Sequence, residues 1–339
     1  MTQPTLPELT FNEPVKVTDD IFGLKLPLPF ALDHVHCWLI DDGDGWTIID
    51  TGVNNPETRA TWETALTGLM AGKPVNRLLL THFHPDHAGL GGWLAERTGA
   101  QVSMSLTEWM TVRALKNDTG DGYNEAHKRY YEAAGIDPET KARLLERGNM
   151  YAKRVVEPVG SIERLRAHQT IKLAGSEFRI IIGEGHAPEM VTLYSEERNL
   201  LIAADQILPK ISPVVGAWVM TPWADPLDDF LTSNRQYESL PADTLVLPSH
   251  GWIFQTLLDR VHDLAHHHER RLDRTLAILD EPKTAWEVSA KLFERRLDLH
   301  QSGFALGETI AHLNHLIGRN EIASTQSTTG ALTYFRAAS

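Results

Sequence analysis

Residues 78 to 90 read Leu-Leu-Leu-Thr-His-Phe-His-Pro-Asp-His-Ala-Gly-Leu. The three leucines predict a short buried strand, which ends abruptly in a cluster of side chains that can bind metal. His82, His84 and His87 supply imidazole nitrogens, and Asp86 supplies a carboxylate. Four such groups buried together without a cation would repel one another or lack hydrogen-bond partners. The sequence therefore predicts a metal site at the end of this strand.

The spacing of these four residues favours two metal ions over one. His82 and His84 are two positions apart and can point to the same side of an extended loop, whereas Asp86 and His87 are adjacent and must diverge. One ion would not easily accept all four side chains. The alternative is a surface loop that happens to be rich in histidine, but such a chance cluster need not follow a buried strand.

The segment Thr81-His82-Phe83-His84-Pro85-Asp86-His87 resembles the HxHxDH signature of the metallo-β-lactamase fold superfamily. Four further segments resemble that family's motifs and follow in the family's order: Ile48-Ile49-Asp50-Thr51-Gly52, Gly185-His186, Ala204-Asp205 and Ser249-His250-Gly251. The resemblance covers residues 20 to 255. It implies an α/β protein with an αβ/βα sandwich and a hydrolytic site that holds one or two metals.

The resemblance also implies a ligand set and a supporting residue. The expected metal ligands are His82, His84, Asp86, His87, His186, Asp205 and His250. We assign His82, His84 and His186 to one metal, Asp86, His87 and His250 to the other, and Asp205 to both. Asp50 is expected to support the metal loop through hydrogen bonds without binding metal itself. Two divalent cations are expected, with zinc as the default for histidine-rich ligands, although imidazole with carboxylate also accepts iron or manganese.

The implied ligands predict a hydrolytic mechanism. A water bridging two cations would lose its proton near neutral pH and attack a carbonyl carbon, while the metals stabilise the oxyanion. Asp86 is the candidate catalytic residue, because its position would let it handle the proton of the leaving group. The likeness to glyoxalase II-like and other lactamase-like hydrolases, which have the bridging Asp205, implies an ester, thioester or lactone substrate. Authentic metallo-β-lactamases typically lack that aspartate.

Length and composition predict a soluble globular protein with two domains. The chain has 339 residues, of which 42% are hydrophobic and 23% are charged. We expect a catalytic domain at residues 1–255, with a helical insertion at 103–153, and a smaller domain at residues 256–339. Helices are predicted at 106–116, 124–134 and 138–153 within the insertion, which could cover the metals. Without a membrane span or a secretory signal, we expect a cytoplasmic protein and no membrane partner.

The C-terminal part is predicted to contain three helices and a small hairpin, which resembles the winged-helix domain of some metallo-β-lactamase-fold hydrolases. Residues 260–339 contain ten basic and ten acidic residues, and the chain as a whole has a net charge of −13. Because a basic footprint is missing, nucleic acid is disfavoured as a partner, and a packing, substrate-closing or homodimer-forming role is expected. The favoured substrate is a small molecule. The alternative function is a metal-dependent endoribonuclease acting on single-stranded RNA.

Overall fold

The computed structural model describes residues 6–294, 296–328 and 330–337. It confirms the predicted α/β class, because two β-sheets face each other and helices cover their outer faces. The parts of the two predicted domains at residues 1–5, 295, 329 and 338–339 lie outside the described residues. Among the described residues, no helix combines the length and the apolar character that crossing a membrane requires.

The first sheet has seven strands, which lie side by side in chain order. They are β1 (Pro14–Lys16), β2 (Ile21–Pro27), β3 (His34–Asp41), β4 (Trp46–Ile49), β5 (Val75–Leu79), β6 (Gln101–Ser105) and β7 (Glu163–Leu165). Strands β4 to β7 pair in parallel. The carboxyl ends of parallel strands meet at one edge, so Asp50 after β4 and His82 after β5 are brought together there.

The second sheet has five strands in the spatial order β12-β11-β10-β9-β8. They are β8 (Thr170–Leu173), β9 (Ser176–Gly183), β10 (Met190–Ser195), β11 (Leu200–Ala204) and β12 (Leu245–Pro248). Strand β11 is parallel to β12, and both β9 and β11 are antiparallel to β10. Strands β9, β11 and β12 therefore end at the same edge, and the residues that follow them are His186, Asp205 and His250.

The side chains of successive strand residues point to opposite faces of a sheet, and they contribute to three separate apolar layers. On β3, Trp38 and Ile40 point into the layer between the two sheets, whereas Cys37 and Leu39 point into the layer beneath the helices of the first sheet. On β11, Leu201 contributes to a third layer, which the C-terminal helices also enter. Successive strand residues face opposite sides, so strands buried on both faces read as unbroken apolar runs.

The helices between and after these strands have the following bounds. They are α1 (Pro56–Thr67), α2 (Pro85–Ala88), α3 (Gly91–Thr98), α4 (Leu106–Asn117), α5 (Asp121–Ala133), α6 (Pro138–Glu146), α7 (Met150–Arg154), α8 (Pro226–Asn234), α9 (Leu257–Ile278), α10 (Ala285–Leu292) and α11 (Leu299–Gly318). A short 3₁₀ helix, Arg235–Ser239, follows α8.

The prediction of one helix over residues 138–153 was wrong. Helix α6 ends before Gly148, which adopts a φ of +57°, and Asn149 begins α7 by accepting a hydrogen bond from the Ala152 amide. A left-handed glycine followed by an Asn cap is a strong signal for a helix end and a new start. The predicted insertion at 103–153 also begins inside strand β6 (Gln101–Ser105), which the sequence analysis missed.

The C-terminal part contains α9, α10, α11 and a three-stranded antiparallel sheet. Its strands are β13 (Lys283–Thr284), β14 (Ile322–Gln326) and β15 (Leu332–Arg336), of which β14 and β15 match the expected hairpin. Its apolar side chains belong to the same buried cluster as Leu201 and Phe230 of the first part of the chain. The two parts therefore share one apolar layer, and the winged-helix assignment stays a prediction.

Candidate metal centre

All seven predicted ligands meet where the two sheets end. Three groups of side chains each have ligand atoms within 4.8 Å of one another. These groups are His82, His84 and His186; His82, His87 and Asp205; and Asp86, His87 and His250. His82 and His87 each belong to two of the three groups, so the groups overlap, and the division of the ligands between two metals stays a prediction. The chain brings these side chains from four segments, which follow β5, β9, β11 and β12.

The Asp205 carboxylate lies among three of the proposed histidine ligands. Its Oδ2 atom lies 3.4 Å from His186 Nε2. Its Oδ1 atom lies 3.4 Å from His87 Nε2 and 3.2 Å from His250 Nε2. The two carboxylate oxygens are thus directed at different histidines, Oδ2 at His186 and Oδ1 at His87 and His250.

The outward nitrogens of four histidines are held by acceptors, which leaves the inward nitrogens free to bind a cation. His87 Nδ1 lies 2.8 Å from Asp50 Oδ2, and His186 Nδ1 donates to the Val214 carbonyl at 2.8 Å. His250 Nδ1 donates to the His34 carbonyl at 2.6 Å. The fourth is His82, whose Nδ1 lies 3.0 Å from the Thr81 hydroxyl. Such contacts fix the tautomer, because a nitrogen that donates outward leaves a lone pair on the other ring nitrogen.

The cluster lacks enough protein donors to satisfy its own atoms. Among the described residues, three buried atoms that face the centre have no hydrogen-bond partner: His87 Nε2, Asp205 Oδ1 and His250 Nε2. His84 Nδ1 lies 3.0 Å from His82 Nε2 and 2.9 Å from His186 Nε2, although a single ring proton can bridge only one of these pairs. Buried polar atoms normally have partners, so this donor set fits a bound metal.

The electrostatics of the cluster favour neutral imidazoles on one side and positive charge on the other. Burial lowers the pKa of His82 and of His84 well below its ordinary value, so both rings keep a lone pair. Burial also opposes protonation of His87, but the carboxylates of Asp205, Asp86 and Asp50 outweigh it and raise that pKa. A bound cation would satisfy the same carboxylates.

Two strand ends at the centre adopt strained backbone conformations. Asp50 has a φ of +62° and Ala204 a φ of +47°, which place both in the left-handed region that costs non-glycine residues about 1–3 kcal/mol. Gly185, directly before His186, has a φ of +93°, and an added Cβ would lie 2.3 Å from the Pro226 carbonyl oxygen. Strain of this kind persists where surrounding contacts hold the residues that follow in place.

Asp50 supports the metal loop, as the sequence analysis predicted. Its carboxylate accepts a hydrogen bond from the Thr81 amide at 2.8 Å in addition to its contact with His87. His34 and His36 lie beside the centre, because His34 receives the Gly251 amide on Nε2 and stacks on His36. They belong to the support of the last histidine segment and to none of the three ligand groups.

Glu108 and Tyr151, both from the helical insertion, also support the loop that holds His82 and His84, and the sequence patterns did not indicate either of them. Glu108 is fully buried and accepts the Phe83 amide at 2.8 Å and the Glu189 amide at 2.7 Å. It thereby joins the first metal loop to the segment after His186, and burial raises its pKa to about 7. The Tyr151 hydroxyl donates to the Phe83 carbonyl at 2.7 Å.

The available sequence signal for Glu108 was a Ser-x-x-Glu motif, with Ser105 as the helix N-cap. That motif normally indicates a Glu side chain that returns to its own cap. The structure uses the carboxylate for tertiary contacts instead, and Ser105 alone caps the helix by accepting the Glu108 amide.

The fold and the donor set define a protein of the metallo-beta-lactamase superfamily, and the chain belongs to it. The model of that superfamily matches residues 31–250. A second model, described as metallo-beta-lactamase-like, C-terminal domain, matches residues 272–337. The family and the cluster of histidine and aspartate side chains together indicate a metallo-hydrolase with divalent metal binding.

Particular proteins resemble this chain along most of its length. The crystal structure of a beta-lactamase domain protein from Burkholderia ambifaria has a TM-score of 0.88 and 34% identity, and the match covers 99% of this chain and 96% of that one. A protein named probable metallo-hydrolase YqjP from Bacillus subtilis is 27% identical, over 91% of this chain and 95% of that protein. Atrochrysone carboxyl ACP thioesterase of Aspergillus fumigatus is 21% identical, over 75% of this chain and 46% of that protein.

Proposed function

We propose that this protein is a dinuclear metal-dependent hydrolase that cleaves a small-molecule ester, thioester or lactone. The observation that carries the proposal is the convergence of seven histidine and aspartate side chains whose buried inward atoms lack enough protein partners. The groups His82, His84 and His186, and Asp86, His87 and His250, support the proposal of two metals, because each could hold one ion. The thioesterase name of the Aspergillus relative makes a thioester the first substrate class to test.

The proposed metals are two divalent cations, with zinc as the first choice and iron or manganese as alternatives that the same ligands accept. When bound, such a pair supplies a deprotonated water near neutral pH and polarises a substrate carbonyl. The protein contributes fixed tautomers at His87, His186 and His250, because each ring donates outward from Nδ1. It also contributes Asp205, whose Oδ2 atom faces His186 and whose Oδ1 atom faces His87 and His250.

Asp86 is the proposed catalytic residue. Its Oδ2 atom lies 3.6 Å from His250 Nε2, and its side chain is 17% exposed, compared with 8% for Asp205. Of the two carboxylates in the centre, Asp86 is therefore the one better able to exchange a proton with solvent and hand it to a leaving group. Asp86→Asn should lower kcat more than the metal content, and an unchanged kcat with full metal content would contradict this role.

The proposed function is tested with purified protein of measured metal content. The protein is incubated with a panel of acyl thioesters, simple esters and lactones, and in parallel with a labelled single-stranded RNA. Turnover of the small molecules that disappears with chelation and returns with metal would support the proposal. Cleavage of the RNA without turnover of any small molecule would favour the alternative endoribonuclease, and a protein without metal would overturn both.

The C-terminal part is proposed as a packing element that also borders the substrate entrance, with a winged-helix arrangement and a homodimer as further proposals. Helix α11 contacts the loop that follows Asp205, because the Ala217 amide donates to the Gly307 carbonyl at 3.0 Å. A nucleic-acid-binding role is disfavoured because residues 260–339 carry no net charge. Light scattering measures the molar mass of the protein in solution and therefore tests the homodimer directly.

A further inference from the structure

Two arginines and a histidine from distant parts of the chain lie together beside the metal centre. Arg147 Nη2 lies 3.4 Å from His300 Nδ1. The guanidinium carbon of Arg154 lies 4.5 Å from the ring centre of Phe30, and the rings of Phe30 and His300 are 5.5 Å apart. We refer to Arg147, Arg154 and His300 as the basic cluster, with Phe30 as the aromatic side chain between them.

The basic cluster borders the metal loop. Tyr151 and Arg154 are three residues apart on α7 and share one face of that helix. The Tyr151 hydroxyl reaches the Phe83 carbonyl between two of the proposed ligands, and the Arg154 carbonyl accepts the Asn54 amide at 3.1 Å. Arg154 is also close enough to Asp86 for that carboxylate to favour its charged form. The helix that carries Arg154 is therefore attached directly to the loop that holds His82 and His84.

The charges of the basic cluster are not balanced by a dedicated carboxylate. Among the described residues, Arg147 and Arg154 form no ion pair, whereas the surface Arg97 is paired with Glu63 at 2.9 Å. Burial and, after it, the neighbouring Arg147 lower the pKa of Arg154. Burial is also the main cause that lowers the pKa of His300, and both arginines add to it. Like charges held together in a half-buried place cost free energy unless an anion joins them.

The nearby acidic groups have other partners. Asp298 caps α11 by accepting the amides of His300 and Gln301, each at 2.8 Å. Asp86 is one of the proposed metal ligands, so a bound cation would use its charge. The charge of Asp298 acts on Arg147 and His300, but among the described residues it forms no ion pair with either, so the charges of the two arginines stay without a direct partner in a chain with a net charge of −13.

We propose that the basic cluster is a subsite for a carboxylate or phosphate group of the substrate, whose ester or thioester carbonyl lies at the metal centre. This inference rests on the proposed hydrolase function and narrows its substrate to an anionic ester or thioester. Guanidinium groups bind such anions through two parallel hydrogen bonds. Phe30 supplies a flat apolar surface beside Arg154, and cation–π contact holds that side chain in place.

His300 completes the subsite as a donor. Arg147 donates to His300 Nδ1, so the ring proton of the neutral imidazole lies on Nε2 and is available to an anion. The subsite is assembled from the loop after β2, the α6 to α7 segment and the first turn of α11. The C-terminal part therefore contributes one residue to substrate selection, which a packing role alone would not require.

Direct binding is measured by calorimetry on the purified, metal-containing protein. Glutarate and inorganic phosphate are the two probes, since they separate a carboxylate-binding from a phosphate-binding subsite. Arg154→Gln and Arg147→Gln are compared with Arg143→Gln, an exposed arginine on α6, as the matched control. We expect the wild type and the control to bind one probe alike, and each Gln variant in the cluster to bind it about tenfold to a hundredfold more weakly.

Substrate preference is measured with two p-nitrophenyl esters, the glutarate monoester and the neutral butyrate. The wild type should prefer the anionic ester in kcat/KM, and Arg154→Gln should reduce that ratio by about tenfold or more, mainly through KM. Arg154→Lys should restore part of the preference. Circular dichroism checks that each variant folds. If Arg154→Gln does not fold, Arg147→Gln takes its place in the comparison of the two esters.

The possible outcomes distinguish a failure of the anion subsite from a failure of the proposed hydrolase function. If the wild type hydrolyses neither ester, simple-ester hydrolysis fails as a function, while calorimetry still decides whether the subsite exists. If both esters are hydrolysed with equal kcat/KM and neither probe binds, the subsite is overturned and the hydrolase stands. Binding that is equally strong in the wild type and Arg154→Gln would also overturn it, because the anion would then be held by the metals alone.

Discussion

Replacing Asp50 by asparagine is the sharpest test of how the protein holds its metal ligands. Asp50 is buried, and its two oxygens accept the Thr81 amide and contact His87 Nδ1, each at 2.8 Å. Asparagine has nearly the same shape but carries one oxygen and one NH₂ group. If the oxygen stays with the Thr81 amide, the NH₂ group faces His87 Nδ1, where it cannot accept the ring proton.

The magnitude follows from the tautomer that the variant imposes on His87. The imidazole would carry its proton on Nε2, which lies 3.4 Å from Asp205 Oδ1 and faces the centre. Loss of an outer partner of this type costs about 10–100-fold in metal affinity, which corresponds to ~1.4–2.7 kcal/mol. Without metal, the loss of a charge-assisted hydrogen bond lowers the free energy of unfolding by about 1.5–3 kcal/mol.

The assay is competition between the protein and a chromophoric chelator, combined with thermal unfolding before and after metal removal. Asp42→Asn is the matched control, because Asp42 accepts the Thr47 hydroxyl and the Ala174 amide away from the metal centre. The control should lower stability and leave metal affinity unchanged. Wild-type metal affinity in Asp50→Asn would refute the tautomer argument, and equal losses in both variants would show a general effect of destabilisation.

Three further predictions concern residues that are not among the proposed metal ligands. Glu108→Gln leaves one of two buried amides facing an NH₂ group, so unfolding and metal-content measurements should show a loss of about 1–3 kcal/mol and less bound metal. His312 is buried and its pKa is lowered to about 4, so the stability that it contributes is present above pH 6.5 and lost as pH falls towards 4. Denaturant titrations should show a loss over that window that is about 3 kcal/mol larger in the wild type than in His312→Gln, because other buried histidines add to the loss in both proteins. Gly92→Ala places a Cβ 2.1 Å from the Glu157 carbonyl oxygen and should cost about 1–3 kcal/mol in unfolding experiments, whereas Gly122→Ala, in open space, should not destabilise the protein.

Much of the candidate metal centre was predictable, because the His82 loop follows a recognisable strand and the family resemblance implied the other ligands. The apolar run before His82 and the similar runs before Asp205 and His250 correspond to β5, β11 and β12. Strands buried on both faces have this appearance in any sequence. The ligand types and their spacing then indicate metal without any knowledge of tertiary contacts.

Other features depend on contacts between segments far apart in the chain, and single-sequence patterns do not report them. Glu108 resembles a helix-capping residue, yet its carboxylate joins two loops separated by more than 100 residues, Phe83 and Glu189. The break after α6 was missed because the apolar spacing of residues 138–153 continues across Gly148. There the left-handed conformation of one glycine outweighed the helical period.

The amino-acid sequence by itself indicated a buried strand followed by the metal-binding side chains of residues 82–87, because hydrophobic runs and the ligand preferences of metals are local properties. The α/β class and the more distant residues His186, Asp205 and His250 came from the resemblance to the family. The orientation of those ligands came from folding. The acceptors that set the histidine tautomers include the Val214 and His34 carbonyls, and any residue type can supply a backbone carbonyl. No sequence pattern predicts that Arg147, Arg154 and His300 lie together, because packing of the insertion against α11 brings them into contact.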